Sequence, residues 1–143
     1  MFRAIVITVL LMFGCAANAG TDRFLIGGWS KHIPASNTVT NETHNIIGVE
    51  LNSVGAGYFE NSYGRDTYYV HKTWRWKISE HVNFVSALGV NYGYRGCFQA
   101  DDASEPARIC PHGYAGFEYV KYTVVPTLKI IPGAILFSPE IQF

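Results

Sequence analysis

The sequence predicts an all-β protein, an eight-stranded antiparallel up-and-down transmembrane β-barrel, on three observations. The first is composition: nine Tyr, nine Phe, three Trp and 14 Gly stand beside only 15% charged residues. An average soluble domain carries about 25%, so the balance favours strands whose outer faces are apolar. The second is periodicity, in eight segments where apolar side chains alternate with small or polar ones, the period of two of a sheet with one apolar face. The third is the rhythm of the connections, long and short by turns, as in outer-membrane barrels.

The segments run approximately over residues 23–32, 44–52, 56–61, 66–78, 82–95, 112–121, 123–131 and 134–143. In the fourth, Tyr68, Val70, Trp74 and Trp76 alternate with Thr67, His71, Thr73, Arg75 and Lys77, and only Lys72 breaks the pattern. In the fifth, Val82, Phe84, Leu88, Val90, Tyr92 and Tyr94 alternate with Asn83, Ala87, Gly89, Asn91 and Gly93. The last places Ile135, Phe137, Ile141 and Phe143 opposite Ser138, Glu140 and Gln142. Small or polar inward residues suit a narrow lumen, with the apolar face turned to lipid. A soluble β-sandwich has the same alternation turned inward. The strand number, the connections (long at 34–43 and 97–110, short at 53–55, 79–81 and Tyr122, intermediate at 62–65) and the final aromatic Phe143 favour the barrel. That ending resembles the carboxy-terminal signal of outer-membrane barrels. Both ends then belong in the periplasm, the longer loops lie outside, and Trp74, Trp76, Tyr92, Tyr94, Tyr119 and Tyr122 are candidates for the interfacial girdles.

The first 19 residues read as a cleaved secretory signal peptide. Arg3 supplies the positive start, Ala4 to Phe13 the apolar run, and Ala17-Asn18-Ala19 the small-x-small site, leaving residues 20–143 as the barrel domain. The apolar run is shorter than the roughly 20 residues of a spanning helix, and Met12-Phe13-Gly14 before Cys15 is a poor lipoprotein signal. The expected location is therefore the bacterial outer membrane. There Cys97 and Cys110, around a polar stretch, are expected to form a disulfide worth about 3 kcal/mol on the chain-entropy estimate. With His112 the only further ligand nearby, no metal is expected. The formal charge of +0 gives no hint of a nucleic-acid partner.

On the inward face, Glu50, Arg75, Lys77, Glu118, Lys129 and Glu140 carry both signs of charge. Unpaired buried charges cost several kcal/mol, so these residues are expected to pair into a plug. Eight strands enclose a space just wide enough for side chains, which argues against a pore.

The residues able to do chemistry sit at the other end. His32 closes the first strand, Asn41, Glu42 and His44 enter the second, and Asn61-Ser62-Tyr63-Gly64-Arg65-Asp66 forms the second outer loop. Neighbouring loops would bring a serine, one or two histidines and an acid to one rim, the material of an activated hydroxyl nucleophile. No motif spacing fixes their geometry. Asn-Ser-Tyr-Gly is also an ordinary turn composition, and rim histidines are commonly just solvated, so both readings stay open.

The run Gly57-Tyr58-Phe59-Glu60-Asn61-Ser62-Tyr63, with Tyr68 to Trp76 after it, resembles the PagP-type lipid A palmitoyltransferases. So do Asn41-Glu42 before a Gly-containing strand, and the end from Val125-Pro126 through Ile131-Pro132-Gly133 to Gln142-Phe143. The resemblance covers about two-thirds of residues 20–143. It implies an eight-stranded outer-membrane barrel that moves a palmitoyl chain from phospholipid to lipid A without a cofactor. Its partners are then membrane lipids, lipopolysaccharide and phospholipid, and the barrel is expected to be a monomer. Carried across, the family's serine is Ser62 and its histidine His32, with His44 a second candidate. The family's Asp is Asn61 here, leaving Asp66 as the only replacement carboxylate and Asn61 as an oxyanion donor. The family's amino-terminal amphipathic helix has no counterpart. The family's lumen is an apolar pocket, and here the inward charges crowd the periplasmic end, leaving room for a pocket at the outer one. Prolines opening gaps in the wall admit lipid sideways in that family, and Pro126 and Pro139 are the matching candidates.

Three functions follow as expectations. One is a lipid A acyltransferase acting at the outer leaflet. Another is a non-catalytic barrel whose stapled loop, with Asp101, Asp102 and Glu105, binds a surface partner. The third is a soluble lipid-binding barrel with its apolar face inward.

Overall fold

A computed structural model describes residues 22–35, 37–97 and 104–143. The expected signal segment and the loop acids Asp101 and Asp102 lie outside the described residues. Eight strands form one closed antiparallel barrel: β1 (Arg23–His32), β2 (Thr43–Leu51), β3 (Val54–Glu60), β4 (Asp66–Lys77), β5 (Val82–Tyr94), β6 (Arg108–Tyr119), β7 (Val124–Ile131) and β8 (Ala134–Gln142). Each pairs with the next, and β8 closes on β1. Closure removes the unpaired edges that make open sheets sticky. At the seam, Phe143 donates its N–H to the Asp22 carbonyl at 3.1 Å and stacks its ring 4.5 Å from Phe24.

The alternation read from the sequence decides which way each side chain points. Ile47, Tyr68, Leu88, Ile109, Phe117 and Ile130 stand exposed around the outside, Ile47 and Ile109 at 69%. Monomeric soluble proteins rarely leave apolar patches of more than a few hundred Å² uncovered, so this belt is compatible with an outer-membrane protein. Lys72 is the exception on this face, and it reaches the rim: its Nζ donates to the Asn52 carbonyl at 3.1 Å, in the β2–β3 turn. Asn52 and Ser53 both have positive φ there, as a two-residue hairpin turn of the favoured hand requires.

The inner half of the lumen is filled by charge. Glu118 accepts from Arg23 at 3.3 Å, from Arg75 at 3.1 Å and from Asn83 at 2.8 Å. Glu50 accepts from Arg75 and, at 2.8 Å, from the Thr73 hydroxyl. Glu140 takes Lys129 at 2.6 Å and lies 3.7 Å from Arg23. Three cations meet three carboxylates, all buried. The expected plug is present, with one exchange of membership. Lys77 sits exposed at the strand end, and Arg23, at the very start of β1, takes its place.

Three local irregularities shape the opposite end. At Gly27 (φ +66) the pairing of β1 shifts against both neighbours. Its inward series runs Arg23, Leu25, then Gly28 and Ser30, with Trp29 turned out. At Gly93 (φ +143) β5 shifts against β6, and the next residue, Tyr94, turns inward onto Phe59 and Tyr63. The expectation of Tyr94 in the aromatic girdle is thereby corrected: a bulge reverses the alternation that placed it there. Finally, β6 begins at Arg108, four residues before the expected start, because the long outer end of β5 pairs with it through Tyr92↔Ile109 and Asn91↔Cys110. The Cys97–Cys110 disulfide is formed and ties the loop to this extension.

Candidate functional site

Above the charge lattice lies a cavity of about 190 Å³. Its walls are mostly apolar, from Leu25, Ile46, Phe59, Ile131 and Leu136, with Ser62, His44, Asn91 and Tyr94 at the outer side and Tyr69, His71, His112, Tyr114 and Lys129 deeper in. Glycines make the room. A Cβ at Gly55 would collide with the His71 ring, and one at Gly48 or Gly57 with the Tyr69 hydroxyl. The cavity is also lined by Pro111 and Gly113 of β6, whose neighbours in the strand carry the inward side chains. The pairing of β6 with β7 explains this contact. It runs from Glu118↔Thr127 only to Ala115↔Ile130, so residues 108–114 have no β7 partner. By this register residue 113 already stands level with the β7–β8 turn at residues 132–133, so the start of β6 projects past the end of β7 as a free edge, and a proline is tolerated on such an edge. Pro126 and Pro139, candidates for gaps or for tolerated strand prolines, face each other within the β7–β8 ladder. On their other sides the β6–β7 pairing stops at Thr127, and the β1–β8 pairing passes from Glu140 to Phe137 without Pro139.

The two outer loops are neighbours, as expected from an up-and-down barrel. The Ser62 carbonyl accepts from the backbone N–H of Thr40 at 2.9 Å and of Asn41 at 3.0 Å, and the Asn41 side chain donates to the Asn61 carbonyl at 3.1 Å. Ser62 is buried and lines the cavity. Asn61 beneath it is wholly buried and serves the turn. Its Oδ1 accepts from the N–H of Tyr63 (2.9 Å) and Arg65 (3.2 Å), and its Nδ2 donates to Thr67 Oγ1 at 3.0 Å. Asp66 points away from the lumen and accepts from the Tyr58 hydroxyl at 2.8 Å on the outer face. The replacement carboxylate therefore does not join Ser62.

The two histidines separate. His32 is at the rim, its Nδ1 3.8 Å from Glu42 Oε1. Glu42 also accepts from Lys31 Nζ at 3.0 Å and from the His32 N–H at 3.3 Å, and these donors hold its carboxyl below the ordinary value. His44 lines the cavity and is fixed on both sides. Its Nδ1 lies 2.7 Å from the Glu60 carbonyl and its Nε2 lies 2.8 Å from Ser30 Oγ. A carbonyl only accepts, so Nδ1 carries the proton and Nε2 is bare. The Ser30 hydroxyl must then donate to Nε2.

Sequence reasoning missed Ser30, because simple alternation from Arg23 turns it outward; Gly27 was the one signal of a change of phase. It also passed over the inner aromatic layer, where His71 stacks between Tyr69 (5.1 Å) and His112 (5.5 Å). Fold and site together define a closed, plugged eight-stranded barrel with a mostly apolar cavity lined by Ser62 and His44 at its outer end. Compared with known proteins, the chain matches no family model and no curated protein.

Proposed function

We propose that this protein is an outer-membrane barrel that transfers an acyl chain from a phospholipid to lipid A at the outer leaflet. The observation that carries the reading is the cavity: largely apolar, and lined at its outer end by His44, whose Nε2 is hydrogen-bonded to the Ser30 hydroxyl. An apolar recess accepts a hydrocarbon chain, and a hydroxyl bonded to an imidazole is the equipment of acyl transfer. The closed charge lattice below argues against solute passage. The apolar belt supports a lipid surround, and the reading of the first 19 residues as a secretory signal agrees with that destination. The resemblance to the palmitoyltransferases of lipid A supports the same reading.

The test is expression of the full chain in a Gram-negative host lacking its own lipid A acyltransferase. Heat-modifiable gel mobility reports folding, and mass spectrometry reads the lipid A. A species heavier by one acyl chain is expected. A folded barrel without such a species would favour the binding reading, with the disulfide-stapled loop and its Glu105–Arg108 ion pair as the contact surface.

A further inference from the structure

We propose that Ser30, with His44 as its base, is the nucleophile of this barrel, and that Ser62 is not. The inference rests on the acyl-transfer reading for its substrate, a lipid ester, but its geometry stands alone. His44 has two ring nitrogens and both are committed. Nδ1–H is held by the Glu60 carbonyl at 2.7 Å, and Nε2 receives the Ser30 hydroxyl at 2.8 Å. A nucleophile bonded to a base that a third group orients is the arrangement that activates a hydroxyl. The Phe59 ring, edge-on to His44 at 6.3 Å, holds the imidazole plane as well. No ring nitrogen of His44 is left for Ser62.

The backbone is built around this pair. The change of phase at Gly27 turns Ser30 into the lumen, on the side where β2 presents His44. Its partner in the β8 register is Leu136, and Leu136, His44 and Ile46 all line the cavity. Ser30 itself is buried and stands just behind this lining, adjoining it through His44 and Leu136. In the proposed reaction the ester carbonyl of a chain lying along these side chains comes to its hydroxyl. In the first step Oγ bonds to the ester carbonyl carbon, its proton passes to His44 Nε2, and the ester C–O bond breaks. The departing lysolipid alkoxide takes that proton. In the second step the acceptor's hydroxyl gives its proton to Nε2, its oxygen attacks the acyl-Ser30 ester, and Ser30 leaves with the proton returned.

The test is a serine-directed fluorophosphonate applied to the folded full-length barrel, with the adduct located by peptide mass spectrometry. The adduct is expected on Ser30, retained in Ser62→Ala and lost in Ser30→Ala, together with an at least about 1,000-fold fall in acyl transfer in Ser30→Ala. The wild-type adduct site needs no variant to fold. An adduct on Ser62, or none at all, would overturn the proposal, as would full acyl transfer by Ser30→Ala. Labelling of Ser30 in a barrel that leaves lipid A unchanged would uphold the nucleophile and reject only lipid A as the acceptor.

Discussion

The two ends of the lumen are built on the same eight strands with the same alternation, yet they solve opposite problems. At the inner end every charge has a partner: Arg23, Arg75 and Lys129 are met by Glu50, Glu118 and Glu140. At the outer end space is kept open, glycines clear room for rings, and a serine–histidine pair stands beside an apolar recess. A barrel of this size has volume for one filling. Where the filling is self-complementary charge, the lumen is closed and stiff. Where it is withheld, the polar groups that remain are available for a ligand. On the proposed function, stability and chemistry are divided along the axis, and variants can be sorted by which end they touch.

The largest effect is expected at the inner end. Glu118→Ala leaves Arg23 and Arg75 buried without their shared carboxylate, a loss of about 3–5 kcal/mol, to be read from the denaturant midpoint of refolding into lipid. A loss below about 1 kcal/mol would mean that the lattice relaxes or hydrates freely. Next comes the outer staple. Cys97→Ser with Cys110→Ser opens a loop whose closure is worth about 3 kcal/mol in the entropic account, and the same assay should show a shift of nearly that size with the inner lattice intact. Third is the hinge between the ends. Gly27→Ala forces a Cβ into left-handed backbone at a cost of about 1–2 kcal/mol, and acyl transfer should fall further than stability because Ser30 depends on that turn. Equal falls in both would show that Gly27 serves the fold alone.

The smallest effect is expected on the rim. Glu42 is held below its ordinary carboxylate value chiefly by the Lys31 hydrogen bond, with the His32 N–H adding to it. A depressed folded value means that the contact contributes at pH above the ordinary value and is lost as pH falls through the folded one. In an NMR titration, Lys31→Ala should move the Glu42 midpoint upward toward that of a free carboxylate, with only a slight fall in the unfolding midpoint at neutral pH, as for any exposed ion pair. An unmoved midpoint would show that the His32 N–H carries the shift.

Much of this architecture was legible in the sequence, and the exceptions share a cause. Alternation with period two locates strands well and predicts facing, so the charge plug and the outward Tyr68, Val70 and Trp76 followed directly. Facing fails wherever the count is broken. Gly27 and Gly93 each shift the phase by backbone conformation, and so Tyr94 was assigned to the wrong side and Ser30 was passed over. The start of β6 was missed because Pro111 reads as a strand breaker; an edge left unpaired by β7 removes that penalty. The role of Asn61 was hidden for another reason: an amide that binds two backbone N–H groups of its own turn is indistinguishable in sequence from one poised over a substrate.

The central claim is that chemistry belongs to the outer end and the inner end only holds the barrel closed. It is tested most directly by comparing lipid A from otherwise identical cells carrying the unmodified chain, His44→Gln or Glu118→Gln, normalised to folded barrel. The account predicts the additional acyl chain with the unmodified protein and with Glu118→Gln, and none with His44→Gln. Acylation that survives His44→Gln but disappears with Glu118→Gln would contradict it.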